Sequence, residues 1–71
     1  MNKNELILII ENLLKNKKRR KLHISLNNGI FYNGIIVDYK DENLLNFNDN
    51  KLGHIGILFS HIVKIEPMVE R

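Results

Sequence analysis

The sequence predicts a mainly β domain with one N-terminal α-helix, in which five short strands form a small, strongly bent β-barrel. Two observations favour this fold class. Apolar residues recur at helical spacing near the N-terminus, and from residue 22 onward they alternate with polar residues in short runs separated by turn formers. The 71 residues are enough for a single domain, 1–71, and five strands in so short a chain leave exposed edges unless the sheet curls.

The helix is predicted over residues 3–16. Its apolar stripe consists of Leu6, Ile9, Ile10, Leu13 and Leu14. Asn2, followed three residues later by Glu5, resembles a capping box, in which the Asn side chain accepts a hydrogen bond from the helix backbone. Both signals place the beginning of the helix near residue 3.

A basic segment, residues 15–21, follows the helix and holds six of the eleven basic residues of the chain. Cations at the C-terminal end of a helix complement its dipole, but six of them in seven positions repel one another, which exceeds what that role needs. Lys and Arg side chains contact phosphates and release counterions. We therefore expect this segment to contact nucleic acid.

Five strands are predicted in the barrel, which spans residues 22–67, at about 22–27, 30–39, 44–47, 55–60 and 63–66. Asn28-Gly29 predicts a two-residue hairpin turn between the first two, because such a turn needs positive φ at both positions. Gly34, inside the second run, predicts a bend or a bulge. Residues 48–53 are predicted to form a loop, and Pro67 ends the last strand.

Composition argues against several classes of function. The chain has no Cys, and its three His residues are too scattered to form a metal-ligand motif, so we expect no disulfide, metal or other cofactor. The sequence pairs no nucleophile with a base, which favours a protein that is not an enzyme. A core this small supplies only ~3–5 kcal/mol, so we expect copies of the chain to associate.

The longest apolar run, residues 6–10, is far shorter than the ~20 residues of a membrane-spanning helix. Positive charge follows this run instead of preceding it, which is the wrong order for a signal peptide. We therefore expect a cytoplasmic protein with no membrane partner.

Three segments, in this order, resemble the Hfq family of RNA chaperones within the Sm-like superfamily. They are the run Ile24–Gly29 in the first hairpin, Gly34 in the second strand, and Phe59–Val63, which is similar to the family's Tyr-Lys-His-Ala-Ile motif. The resemblance covers the chain from about Lys15 to Pro67. It implies a five-stranded Sm-like barrel and a ring, usually of six subunits, in which the fourth strand of one subunit pairs with the fifth of the next.

The resemblance also implies that single-stranded RNA binds two faces of the ring and its outer rim. Uridine-rich RNA is expected on the pore face and adenine-rich RNA on the opposite face. The matching pore-face positions are His61, Ser60, Asp41 and Glu42. The matching rim positions are Lys17, Lys18, Arg19 and Arg20. The matching opposite-face positions are Gly29, Ile30, Tyr32, Asn33 and Ser25.

Three pore-face positions differ from the family pattern. Ser60 stands where the family usually has Lys, Glu42 replaces an aromatic that stacks on a base, and Asp41 replaces its polar neighbour. His61 matches the family's His, which can hydrogen-bond a base edge or a 2′-hydroxyl. A corner His bonded to neighbouring backbone is the alternative. The loop between the third and fourth strands is longer here than in the family.

These observations predict an RNA-binding homohexameric ring that acts as an RNA chaperone, binding single-stranded RNA and promoting RNA–RNA interaction in post-transcriptional regulation. Two alternatives stay open. One is a seven-membered Sm-type ring that acts as an RNA-processing scaffold. The other is a barrel that mediates protein assembly, or lies on a membrane through its helix, without RNA. Subunit number separates the two rings, and RNA binding separates both from the third possibility.

Overall fold

The computed structural model describes residues 2–15 and 21–68 of the chain. In chain order, its elements are α1 (Lys3–Leu14), β1 (Leu22–Leu26), β2 (Phe31–Asp38), β3 (Leu44–Asp49), β4 (Gly53–Leu58), a 3₁₀ turn (Phe59–His61) and β5 (Ile62–Pro67). The five strands form one antiparallel sheet in the order β4-β3-β2-β1-β5. The predicted class, mainly β with one N-terminal helix, is therefore confirmed, and the arrangement is consistent with an Sm-like fold.

The helix begins where the sequence predicts and ends earlier than expected. Oδ1 of Asn2 accepts a hydrogen bond from the backbone N of Glu5 at 2.8 Å, which is the predicted N-cap. The last helical residue is Leu14 rather than residue 16, which itself lies outside the described residues. Within the described part of the chain, no helix is long and apolar enough to cross a membrane.

The turn between β1 and β2 differs from the predicted two-residue turn. The N of Gly29 donates to the O of Leu26 at 3.2 Å, and the N of Leu26 donates to the O of Ile30 at 2.8 Å, so the loop has three residues, 27–29. Among the described residues only glycines have positive φ, and Gly29 has +86°. This matches the three-residue hairpin loop that ends in a left-handed glycine. Asn28 contributes through its side chain, because its Oδ1 accepts from the N of Ile30 at 3.0 Å.

β3 is longer than predicted, β4 begins and ends two residues earlier than predicted, and the loop between them is shorter. β3 continues to Asp49 and β4 begins at Gly53, so only residues 50–52 remain as a turn instead of the predicted loop 48–53. The reason is Asp49, whose Oδ2 accepts hydrogen bonds from the backbone N of Lys51 and of Leu52, both at 2.9 Å. The Asp49 side chain closes the turn, so that Asn48, Asp49 and Gly53, which are residues typical of loops, pair within the β3–β4 ladder.

The sheet is strongly bent because of the short link between its two outer strands. β4 and β5 are consecutive in the chain but lie at opposite edges, joined only by the three residues Phe59–His61. In a flat five-stranded sheet the outer strands lie about 19 Å apart, whereas this link reaches at most about 14 Å. Phe59 in the link is buried, and so is Ile62, the first residue of β5, so the link is also part of the core. The sheet must therefore curl until its edges approach each other.

Although the sheet is bent as predicted, it does not close into a complete barrel within one chain. The successive antiparallel ladders give β4 and β5 the same direction, so a ladder between them would be parallel. A parallel pair needs a connection of about a dozen residues or more, and the 3₁₀ turn supplies three. Within the described residues, each of these strands therefore has a neighbour in the sheet on one side only.

One face of the bent sheet and one side of α1 form the core. The largest fully buried side chains are Leu6, Ile10, Leu22, Ile24, Leu45, Phe47 and Ile62. In β1 the buried residues alternate with the half-buried His23 and Ser25, as the sequence predicts. α1 packs against β5 and the 3₁₀ turn. Lys3, the first residue of α1, lies over Phe59, so the N-terminal end of the helix is beside the link between the two outer strands.

Gly34 marks a close approach between strands rather than the predicted bend or bulge. It is buried in β2 and pairs with Leu22 of β1 and Asp49 of β3. The register shift between β2 and β3 falls further along the strand, between Ile36 and Asp38. A Cβ here would overlap with the backbone of Asn48, and Gly34 does not have a positive φ, so space and not backbone conformation accounts for a glycine at this position.

Candidate nucleic-acid interface

The basic segment is attached to the fold at both ends. Outside the described residues lie the predicted rim residues Lys17, Lys18, Arg19 and Arg20. The flanking cations are described and exposed. The N of Lys15 donates to the O of Glu11 at 3.2 Å, which caps the end of α1. The O of Lys21 accepts from the N of Met68 at 2.9 Å, which joins Lys21 to the residue that follows β5. The segment therefore runs from the end of α1 to the beginning of β1.

A cleft of about 240 Å³ brings together two of the predicted pore-face residues, Glu42 and Ser60. We call it the helix-side cleft, and it is lined by Asn2, Lys3, Glu42, Asn43, Leu58, Phe59 and Ser60. The N of Phe59 donates to the O of Asn43 at 2.9 Å, which holds the 3₁₀ turn against the loop that carries Glu42. Both predicted side chains are exposed, so a ligand can reach them.

Asp41, the third predicted pore-face residue, organises the loop before β3. Its Oδ1 accepts hydrogen bonds from the backbone N of Asn43 at 2.7 Å and of Leu44 at 3.0 Å. These two hydrogen bonds lower the pKa of Asp41 below its usual value. The carboxylate thus has a structural role that the sequence-based assignment did not include.

Lys3 is a residue of the helix-side cleft that the sequence analysis missed. Its Nζ lies 5.9 Å from the centre of the Phe59 ring, and it lines the same cleft as Ser60. The resemblance leads us to expect a Lys at the position of Ser60, and α1 places a cation in the same cleft instead. The one sequence signal is the position of Lys3 in the first turn of a helix, where a cation opposes the helix dipole.

His61 lines a different cleft from the other pore-face residues. This hairpin-side cleft, of about 220 Å³, is lined by Leu26, Asn28, Ile30, Tyr32, Gly56, Ile57, Leu58 and His61. The O of His61 accepts a hydrogen bond from the N of Asn27 at 2.8 Å, which fixes the 3₁₀ turn against the β1–β2 turn. Within one chain, the structure therefore groups His61 with Ile30 and Tyr32, which the resemblance places on the opposite face.

The residues predicted for the opposite face do not share one cleft either. Ile30 and Tyr32 line the hairpin-side cleft, while Tyr32 and Asn33 line a third cleft, described next. Ser25 is half-buried within β1, and Gly29 is exposed at the end of the β1–β2 turn. Tyr32 is the one residue of the five that reaches both clefts.

The third cleft, of about 330 Å³, lies between β2 and the turn 50–52, and we call it the turn cleft. It is lined by Phe31, Tyr32, Asn33, Asp49, Asn50, Lys51 and Leu52. Asp49 organises it, because its Oδ1 accepts from the N of Asn33 at 3.2 Å while its Oδ2 accepts from the turn. These backbone hydrogen bonds, led by the one from Leu52, lower the pKa of Asp49 although burial opposes the shift.

Acidification is expected to weaken the fold through Asp49. Its pKa is lowered in the folded chain, so its hydrogen bonds stabilise the fold above the unfolded pKa of about 3.9 and are lost as the pH falls through the lower folded value. Asp49→Ala is therefore expected to lower the Tm by about 10 °C at neutral pH and to make the decrease in Tm below about pH 4 shallower.

Thermal unfolding followed by circular dichroism between about pH 3 and pH 7 measures both effects. Glu42→Ala is the control, because it removes the same charge at an exposed position and is expected to change the Tm by less than about 2 °C. An equal decrease in both variants would show that net charge, and not the hydrogen bonds of Asp49, determines the change.

Comparisons with protein-family models, with curated proteins and with solved structures find no match for this chain. Within residues 2–15 and 21–68, no three His, Asp or Glu side chains come together in a group that could hold a metal ion. Evidence for a function therefore comes from the edges of the sheet, the three clefts and the basic segment.

Proposed function

We propose that this chain is the subunit of an RNA-binding ring, an Hfq-like RNA chaperone that binds single-stranded RNA and promotes RNA–RNA interaction in post-transcriptional regulation. The ring is a cytoplasmic homohexamer that catalyses no reaction and needs no cofactor. The observation that carries this proposal is the open, bent sheet. Its two outer strands, β4 and β5, run in the same direction and cannot pair with each other within one chain.

Pairing between copies satisfies both edges of the sheet. An edge strand exposes backbone N–H and C=O groups that template pairing with another chain. Because β4 and β5 lie at opposite ends of one sheet, pairing β4 of one copy with β5 of the next joins copies head to tail. Such contacts form a ring when the rotation between copies closes. Leu58 and Val63 on these strands are 39% and 53% exposed, which is apolar surface that a neighbouring copy covers.

The charge distribution supports RNA as the partner of this ring. The basic segment holds six of eleven basic residues, and a ring repeats it once per subunit, so that weak phosphate contacts add up by avidity. Cations along a ring reduce the repulsion between two RNA strands. Strands held with their bases unpaired are free to find complementary strands, which is the physical basis of the chaperone activity.

Titrations of labelled oligo-A and oligo-U, followed by fluorescence anisotropy across a salt series, test RNA binding. At least one oligomer is expected to bind at low salt, and the logarithm of its affinity is expected to decrease linearly with the logarithm of the salt concentration. Peptide nucleic acids of the same base sequences lack phosphates and are expected to bind much more weakly. Failure of both RNA oligomers to bind at low salt would contradict the proposal and favour an assembly barrel without RNA.

A further inference from the structure

The turn cleft contains an aromatic ring that the core does not use. Phe31 is 58% exposed, whereas Phe47 and Phe59 are buried. The ring of Phe31 packs beside the His23 ring, with the two ring centroids 5.1 Å apart and an interplanar angle of 33°, and this contact restricts its motion. A 2.6 Å hydrogen bond in turn joins the Nδ1 of His23 to the Oδ1 of Asn33. A ring that is exposed and restricted in its motion can stack on a ligand at a low entropic cost.

The turn 50–52 adds a cation and a second apolar side chain to this ring. Lys51 and Leu52 line the cleft and are exposed. Their backbone N–H groups are bonded to Asp49, so the part of the turn that carries them has a defined position. Asp49 is only 7% exposed and accepts three backbone hydrogen bonds. Lys51 is therefore the charged side chain of the cleft that reaches solvent.

We propose that the turn cleft binds one unpaired nucleobase of single-stranded RNA, stacked on Phe31, with Lys51 contacting an adjacent phosphate. The inference rests on the proposed RNA-binding function and deepens it by naming a base site that includes Phe31 and the turn, neither of which the sequence analysis assigned to RNA. The volume of about 330 Å³ is at the small end of ligand sites, which suits a single nucleotide. Because the Oδ1 of Asn33 is bonded to His23, the Nδ2 of its amide is the group left to donate to a base.

The mixture of groups favours a nucleotide over an apolar peptide segment. A base stacked on Phe31 also uses the amide of Asn33 and the cation of Lys51, whereas an apolar side chain leaves both without a partner. Base–aromatic stacking tolerates all four bases, because every base has a π-face. The chain carries a formal net charge of +3, which favours a polyanion over a neutral peptide.

Phe31→Ala tests the stacking surface in the full-length chain. The substitution is expected to weaken binding of oligo-A or oligo-U by at least about ten-fold, because each stacked base contributes about that factor and one is lost per subunit, and to leave the salt slope unchanged. Phe31→Tyr keeps an aromatic ring and is expected to restore binding. Val37→Ala is the matched control, because Val37 is 54% exposed on the same strand and does not line the cleft. Lys51→Gln is expected to make the salt slope shallower by about 0.7 for each phosphate that Lys51 no longer neutralises.

Phe31→Trp gives a direct readout, because the chain has no other Trp. Stacking of a base on the introduced indole is expected to quench its fluorescence when oligo-A or oligo-U is added. If RNA binds the unmodified chain while Phe31→Ala and Val37→Ala behave alike and the indole is not quenched, the base site is wrong and the RNA-binding function stands. If an apolar peptide changes the indole fluorescence and RNA does not, the cleft is a protein-docking site. If the unmodified chain binds no RNA at low salt, both proposals are wrong.

Discussion

Replacing Gly34 by Ala is expected to destabilise the chain strongly, although it adds only one methyl group. A Cβ at this position would overlap with the backbone carbonyl oxygen of Asn48 and lie 2.9 Å from its carbonyl carbon and 3.1 Å from the Cα of Asp49. These are backbone atoms of β3, so no side-chain rotation relieves the overlap, and β2 and β3 must separate. We expect a cost of about 3 kcal/mol or more, which lowers the Tm by on the order of 15 °C.

Gly56→Ala is the matched control for this experiment. It places the same methyl group in β4, where the nearest atom is the flexible Cδ1 of Leu44 at 3.5 Å, an ordinary van der Waals distance. Thermal and urea unfolding of the two variants and the parent chain measure the difference. Equal stability of the two variants would show that β2 and β3 are further apart at Gly34 than the structure places them.

Neutralising the basic segment is expected to have the largest effect on RNA binding. The variant changes four residues to Gln: Lys17, Lys18, Arg19 and Arg20. We expect affinity at low salt to decrease on the order of a hundred-fold, and the salt slope to become shallower by about 0.7 for each phosphate that the variant no longer neutralises. The decrease is expected to be similar for oligo-A and oligo-U, because phosphate contacts carry no sequence information.

A charge-preserving exchange separates charge from side-chain shape in this segment. Replacing each of the two Lys by Arg and each of the two Arg by Lys keeps every cation and is expected to retain affinity within about three-fold. Anisotropy titrations over a salt series measure affinity and slope for both variants. If the Gln variant keeps the parent affinity and slope, the RNA contacts lie elsewhere on the molecule.

The fold could be predicted because most of its signals are local. Asn2 is an N-cap that acts within one helical turn, and the alternation of Leu22 and Ile24 with polar residues depends only on the period of a strand. The bend of the sheet was predicted from chain length and strand number, although in the structure the three-residue link between β4 and β5 is what requires it. The hairpin turn was only partly predictable, because Asn28-Gly29 is compatible with more than one loop length.

The geometry of the clefts depends on contacts between residues that are distant in the chain. Lys3 reaches the helix-side cleft only because α1 packs beside the 3₁₀ turn. The carboxylate of Asp49 in β3 accepts a hydrogen bond from the backbone N of Asn33 in the neighbouring strand β2. Exposure of Phe31 is likewise a tertiary property, since period-2 alternation shows that Phe31 and Tyr32 face opposite ways but not which one is covered. The sequence therefore predicts the elements better than it predicts which side chains meet.

The most direct test of a ring formed through the open edges of the sheet is the mass of the assembled particle, measured by native mass spectrometry at micromolar concentration without RNA. We predict six copies of the 8.4 kDa chain, a particle of about 50 kDa. A mass that corresponds to seven copies would support a ring, but one of seven subunits instead of six. A particle that remains at 8.4 kDa would contradict pairing between β4 and β5 of neighbouring copies.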